Sequence, residues 1–184
     1  MSVITEIDFN ILNFLHDKLS CGFLDFIMPK ITFLGNAGLI WIIIAAVMLV
    51  SKRYRRNGAE LASGLIGCVL IGNLMLKNIV ARSRPCWIDH TVNMFIAVPA
   101  DYSFPSGHTM SSFAAAAVIM HTDKKWGIAA YILASLIAFL RLYLYVHFPT
   151  DVIAGAVIGT AIGLAVCAAF RKNAELKGVQ TNEK

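Results

Sequence analysis

Seven side chains able to hold an anion or move a proton stand far apart in the sequence: Lys77, Arg84, Ser106, His108, Arg141, His147 and Asp151. Three are cations, two are imidazoles, one is a hydroxyl and one a carboxylate. An ion pair between Arg141 and Asp151, with Lys77 and Arg84 snorkelling, accounts for any one residue taken alone. It does not account for the set. Three cations and two histidines exceed what one aspartate neutralises, so a site gathering them calls for an anion. A neutral, oriented imidazole attacks phosphorus. A carboxylate at the other ring nitrogen fixes the tautomer and stabilises positive charge on the ring. His147 and Asp151, four positions apart at a turn entering a helix, have the spacing for that pairing. His108 can protonate a leaving oxygen, and the cations can stabilise charge on the equatorial oxygens of phosphate.

The backbone of the stretch YSFPSGH, residues 102 to 108, points to the same ligand. Pro105 suits the first turn of a helix, where its missing N–H costs nothing. Ser106, Gly107 and His108 are then expected to offer backbone N–H groups at a helix N-terminus, an anion-binding arrangement. Gly107 permits close approach of a ligand oxygen, and the Ser106 hydroxyl adds a donor.

The elements that must carry these residues are apolar. Of 184 residues 58% are hydrophobic and 15% charged, too apolar a balance for an ordinary soluble domain. Residues 31 to 51, 61 to 76, 126 to 140 and 152 to 170 contain no charge. Such runs read as membrane spans. Five are expected, over about 31–50, 60–81, 105–120, 126–145 and 149–170. The third is short, so it is expected to start within the protein rather than in lipid. Residues 3–18 form an N-terminal amphipathic helix with a broad apolar face, lying in the interface or packed on the bundle. The fold class is therefore an all-α integral membrane bundle, one domain over 1–184.

The net charge of +5 is not spread as a nucleic-acid surface would be. Lys52, Arg53, Arg55 and Arg56 form one cluster, Lys124 and Lys125 a second, and Arg171 and Lys172 a third. By the positive-inside rule all three are cytoplasmic, as is the tail 171–184. The seven reactive residues then meet at the outer face. Gly155, Gly159 and Gly163 lie on one side of the last span, fitting close packing within the bundle or, as the lesser alternative, dimerisation. The four cysteines have no metal or disulfide spacing.

KNIVARSRP (77–85), PSGH (105–108) and RLYLYVHFPTD (141–151) together resemble the three signature motifs of the type 2 phosphatidic acid phosphatase family, in order and with matching spacing. The likeness covers roughly residues 20 to 170. It implies a helical-bundle phosphatase that needs no metal or cofactor and works through a phosphohistidine. Carried across by position, Lys77, Arg84, Ser106, Gly107 and Arg141 bind phosphate, His108 is the general acid, His147 the nucleophile and Asp151 its partner. Two features depart from the pattern. Leu140 stands where the third motif usually has Ser. Larger members have six spans, and this chain is expected to lack the first.

The function expected is hydrolysis of a lipid phosphate or diphosphate at the outer face of the cell membrane. By resemblance, undecaprenyl pyrophosphate and phosphatidylglycerol phosphate are slightly favoured as substrates. A phosphotransferase using the same site is the alternative. A non-enzymatic anion or lipid transporter leaves the paired His147 and Asp151 unexplained. Arg82 is read as a solvated loop charge, with a substrate contact as the lesser alternative, and His90 as a rim residue. Trp87, Met94, Phe95 and Ile96 form either a lipid-facing lip or ordinary loop packing.

Overall fold

The computed structural model describes residues 3–34 and 38–182 and is helical throughout its regular elements. Helix α1 is Val3–Leu19, α2 Gly22–Leu34, α3 Leu39–Val50 and α4 Arg55–Cys68. A π-helical segment, Val69–Leu76, joins α4 to a last turn, α5, at Lys77–Val80. The short α6 is Pro85–Ile88, α7 Gly107–Thr122, α8 Lys124–Tyr143 and α9 Pro149–Asn182.

Helix α7 is the axis of the bundle. It packs on α8, α9 and α4 and buries Ala114, Ala115, Ala116 and Ala117. That alanine run carries no side chain beyond Cβ, so three helices can approach at once. The short third span thus starts and runs inside protein. On α9 the glycine row faces α7: a Cβ on Gly155 would lie 2.8 Å from the Ser106 carbonyl, and one on Gly163 2.6 Å from the Ala114 carbonyl. A Cβ on Gly159 would lie closer still to the Met110 carbonyl. The row therefore serves packing within the bundle.

The large apolar side chains are distributed the other way. Ile42, Ile43 and Val47 on α3 are exposed, as are Ile153, Val157 and Leu164 on α9. Small residues inside and large ones outside suit a solvent that is itself apolar. Several polar side chains inside the bundle find partners there. Trp41 Nε1 donates to Ser112 Oγ at 2.9 Å. Arg56 and Asn57 both donate to the buried Glu60, each at 3.3 Å.

Five spans were expected, the third of them short. Among the described residues three helical stretches are long and apolar enough to cross a membrane: Arg55–Ile88, Lys124–Tyr143 and Pro149–Leu176. The first expected span does not run as one helix over 31–50. Gly38 adopts a left-handed backbone with φ 71°, and α3 begins only after it. Residues 35–37 of that span lie outside the described residues. With 12 residues α3 is about 18 Å long, and α7, with 16, about 24 Å. At its other end α9 continues as helix through Asn182, well into the segment expected to be a tail.

Helix α1 forms close to its expected bounds. Its exposed side carries Val3, Ile4, Ile7, Ile11 and Phe14, whereas Asp8 and Leu12 are buried against the bundle. Leu12 joins Tyr145 and Phe148 in one cluster, and the Phe9 ring meets Phe148 edge-on at 5.0 Å.

Candidate active site

Four chain segments converge at one end of the bundle. Lys77 opens α5, and that helix stops at Ala81, whose φ of 46° turns the chain sharply. The turn sends 82–84 back across the helix ends. The loop 144–148 follows α8 with a second positive φ, 57° at Tyr145. Its residues Leu144, Tyr145, Val146, His147 and Phe148 are all buried. A loop this deep must have its polar groups met. Arg84 meets one of them, donating through Nη1 to the Val146 carbonyl at 2.7 Å.

That guanidinium also fixes the state of His147. Its Nη1 lies 3.1 Å from His147 Nε2. A guanidinium only donates, so Nε2 must present its lone pair and the ring proton sits on Nδ1. Burial, with the Arg84 and Arg141 charges adding to it, holds His147 below its usual value against an opposing pull from Asp151, so the ring is neutral near pH 7. A neutral ring with a bare Nε2 is the nucleophilic tautomer.

The backing of Nδ1 differs from the expected direct pair. His147 Nδ1 is 3.8 Å from Asp151 Oδ2, too long for a hydrogen bond. Ser103 stands between them, its Oγ 3.3 Å from Nδ1 and donating to Asp151 Oδ2 at 2.5 Å. The Phe148 N–H donates to the same carboxylate oxygen at 2.9 Å. Asp151 thus acts on the imidazole chiefly through a hydroxyl that accepts from one neighbour and donates to the other. Ser103→Ala is expected to lower kcat by about 10- to 100-fold with KM nearly constant, the scale of losing an orienting partner behind a reactive ring. Steady-state kinetics checks this; a raised KM with kcat intact would place Ser103 on the substrate instead.

Asp101, like Ser103, is a residue the sequence reading missed. Its carboxylate pairs with Lys77 and, at 2.7 Å, with Arg84 Nη2, while its carbonyl accepts from Arg84 Nε at 2.6 Å. Burial pushes the Asp101 carboxyl upward, but Lys77 and Arg84 outweigh it and hold it at about 2. The carboxylate thus pairs with two of the three cations gathered here, Lys77 and Arg84. Asp101→Asn is expected to tighten inhibition by inorganic phosphate roughly fivefold, the worth of a partly exposed ion pair. A depressed carboxyl keeps its pairing above its ordinary value and loses it only as pH falls through about 2. The difference between variant and wild type should thus stay constant from about pH 5 to about pH 8.

Ser106, expected to offer donors to an anion, has partners of its own within the protein. Pro105 precedes α7 instead of entering it, and Ser106 is the cap residue. The Ser106 N–H donates to the Asp151 carbonyl at 3.1 Å, and its Oγ accepts from Thr109 at 3.0 Å. Wholly buried, Ser106 ties α7 to α9. The close approach enforced by Gly155 brings its N–H within reach of the Asp151 carbonyl. Gly107 and His108 remain half-buried on the first turn of α7. His108 lies within electrostatic reach of Arg141, His147, Lys77 and Arg84. Arg141 is 3% exposed and faces Arg84 and Asp101. Leu140 is fully buried.

Arg82 is not a solvated loop charge. It donates to Asp151 Oδ1 and to Asp8, each at 2.6 Å, drawn there because two buried carboxylates need a cation between them. Nor do Trp87, Met94 and Ile96 form a lip. They pack on Tyr143, Leu144 and Val146 behind the His147 loop. The nearest sequence signals for the missed residues were a polar run before PSGH and one acid inside an apolar helix.

A cavity of about 610 Å³ opens from this centre. Lys77, Asp101, Gly107 and His108 line its polar end, and Ile42, Leu49, Leu65 and Val69 line its apolar length.

Fold and site together define a helical membrane protein with a buried cluster of cations and imidazoles at one end of an apolar cavity. The PAP2 superfamily model matches residues 57–175, and the chain belongs to that superfamily. It is 34% identical to the undecaprenyl-diphosphatase of Sulfolobus acidocaldarius over 67% of this chain and 60% of that protein. It is 30% identical to the undecaprenyl-diphosphatase BcrC of Bacillus subtilis over 76% of this chain and 72% of that protein. The crystal structure of Aquifex aeolicus LpxE superposes with a TM-score of 0.75 at 25% identity, covering 91% of this chain and 96% of that one. The PAP2-type phosphatidylglycerolphosphate phosphatase from Bacillus subtilis gives 0.76 at 25% identity, over 94% and 88%.

Proposed function

We propose that this protein hydrolyses a membrane lipid phosphate or diphosphate through a phosphohistidine. The observation that carries the reading is His147 itself: a bare Nε2 beside Arg84 and a backed Nδ1, in a site whose cavity has a cationic mouth and an apolar length. Such a cavity fits a ligand with a charged head and a hydrocarbon tail.

Lys77, Arg84 and Arg141, with the Gly107 N–H, hold the phosphoryl oxygens as charge develops there. Nε2 attacks phosphorus, the N–P bond forms, and the bond to the leaving oxygen breaks. His108 gives that oxygen a proton. The positive charge that develops on the ring is stabilised by Asp151 through Ser103. Water then attacks phosphorus, returning a proton to His108, and the N–P bond breaks to release phosphate and restore His147. The cations supply the charge neutralisation that a metal gives elsewhere, so turnover is expected to survive chelation.

The relatives named above support undecaprenyl pyrophosphate and phosphatidylglycerol phosphate as substrates. The basic clusters at 52–56 and 124–125 fall at the helix ends opposite the site, and 171–172 lies on α9 more than 20 residues beyond Pro149, which supports a cytoplasmic C-terminus and an outward-facing site. The test is phosphate release from a panel of these lipids by purified protein in chelator. Dependence on added magnesium, or transfer to an alcohol in place of water, would redirect the assignment.

A further inference from the structure

One ion-pair network serves neither the ligand nor the bundle core. Arg82 Nη2 donates to Asp8 Oδ2 at 2.6 Å, and Nη1 donates to Asp151 Oδ1 at 2.6 Å and to Thr150 Oγ1 at 2.7 Å. Thr150 closes the ring: its N–H donates to Asp8 Oδ1 at 3.1 Å and its hydroxyl to Asp8 Oδ2 at 2.5 Å. The guanidinium also lies over the Phe148 ring, 4.1 Å from its centroid. Asp8 and Asp151 side chains are 1% and 0% exposed, Arg82 19%. Two carboxylates this deep repel each other across a short gap unless a cation fills it.

The consequence falls on Asp151. Its Oδ1 belongs to Arg82, so its Oδ2 is presented to Ser103, the Phe148 N–H and the His147 ring. Arg82 sets the other half of that relay as well, because its carbonyl accepts from the Ser103 N–H at 2.9 Å. Asp8 is the fixed end. It sits on α1, which braces the same loop through Leu12 and Phe9, and through the Tyr145 hydroxyl donating to Asn13 Oδ1 at 2.6 Å.

We infer that Asp8 and Arg82 are positioning residues: α1, through Asp8, holds Arg82, and Arg82 holds Asp151 and Ser103 in the geometry that backs His147. Helix α1 is then a part of the catalytic apparatus that never meets the substrate. This rests on the phosphatase reading above and deepens it.

The test uses full-length protein and a polyprenyl diphosphate probe in detergent, with wild type, Asp8→Asn, Arg82→Gln, their double variant and Arg82→Lys. Arg82→Gln should lower kcat by on the order of 10²-fold, the scale of losing an orienting partner, with KM within about threefold. Arg82→Lys, which keeps a cation beside Asp151, should recover part of that loss. Asp8→Asn should lower kcat alone yet add little in the double variant, because its effect passes through Arg82. Equal kcat in wild type and Arg82→Gln, additive losses, or losses in KM alone would overturn the inference. Where a neutral variant does not fold, Arg82→Lys and Asp8→Glu keep the charges and are compared instead; wild-type kcat in both would overturn it. A wild type that turns over no lipid phosphate defeats the phosphatase reading, not the positioning one, so the two failures are separable.

Discussion

His147→Ala is expected to abolish lipid phosphate release, by on the order of 10⁴-fold or more in kcat, while the protein folds and retains phosphate binding. The ring occupies a buried loop, yet its polar contacts are to Arg84 and Ser103, groups that keep other partners when it is removed. Arg84 still has the Val146 carbonyl and Asp101; Ser103 still has Asp151. Truncation leaves a small cavity beside the cations and takes away the ring whose Nε2 is unprotonated and whose Nδ1 proton is backed by Ser103. In the proposed mechanism binding and electrostatic stabilisation do not replace the missing nucleophile. The measurement is release of inorganic phosphate from a polyprenyl diphosphate or phosphatidylglycerol phosphate, with chelator, beside a phosphate-binding measurement on the same sample. Activity within about tenfold of wild type would exclude the covalent route and leave direct attack by water.

Gly159→Val is expected to cost roughly 3 kcal/mol or more of stability and to carry activity down with it. At this position any Cβ would overlap the Met110 main chain, including its carbonyl oxygen. A flexible side chain could move aside, but a helix backbone cannot move without shifting α7 as a whole. Helix α7 begins at the site, and Ser106 is hydrogen-bonded there to the Asp151 carbonyl. Forcing the helices apart at Gly159 therefore moves the Ser103–Asp151 relay relative to His108. Gly22→Ala is the contrast: nothing lies within 4 Å of its would-be Cβ, and its stability should stay within about 0.5 kcal/mol. Thermal midpoints in detergent compare the two. A Gly159→Val protein as stable as Gly22→Ala would mean that the α7–α9 contact is looser than described.

The reactive groups were legible in the sequence because each stands at the end of an apolar run and in a motif of set spacing. Lys77, Arg84, His108, Arg141, His147 and Asp151 all meet at one end of the bundle, as their positions at helix ends predicted. The spans were legible to the extent that charge-free runs mark them. The run at 31–50 misled, because hydropathy does not register a left-handed Gly38 that splits a run. The hydroxyl and acid partners were not legible. Ser103, Asp101, Arg82 and Asp8 are common residue types with no spacing of their own. Their importance lies in what they touch, 17 to 142 positions away in the chain.

The sequence alone determined that the chain is an apolar helical bundle gathering cations, imidazoles and one carboxylate at one end, for side-chain type and spacing carry that much. The tertiary structure decided how they are wired. It placed Ser103 between His147 and Asp151, gave the Ser106 N–H to the Asp151 carbonyl, and set Arg82 between two acids. Each of these depends on distances of a few tenths of an ångström across segments that meet only when α7, α9 and α1 are packed. A hydrogen bond exists or fails within that margin, and no pattern along the chain records it.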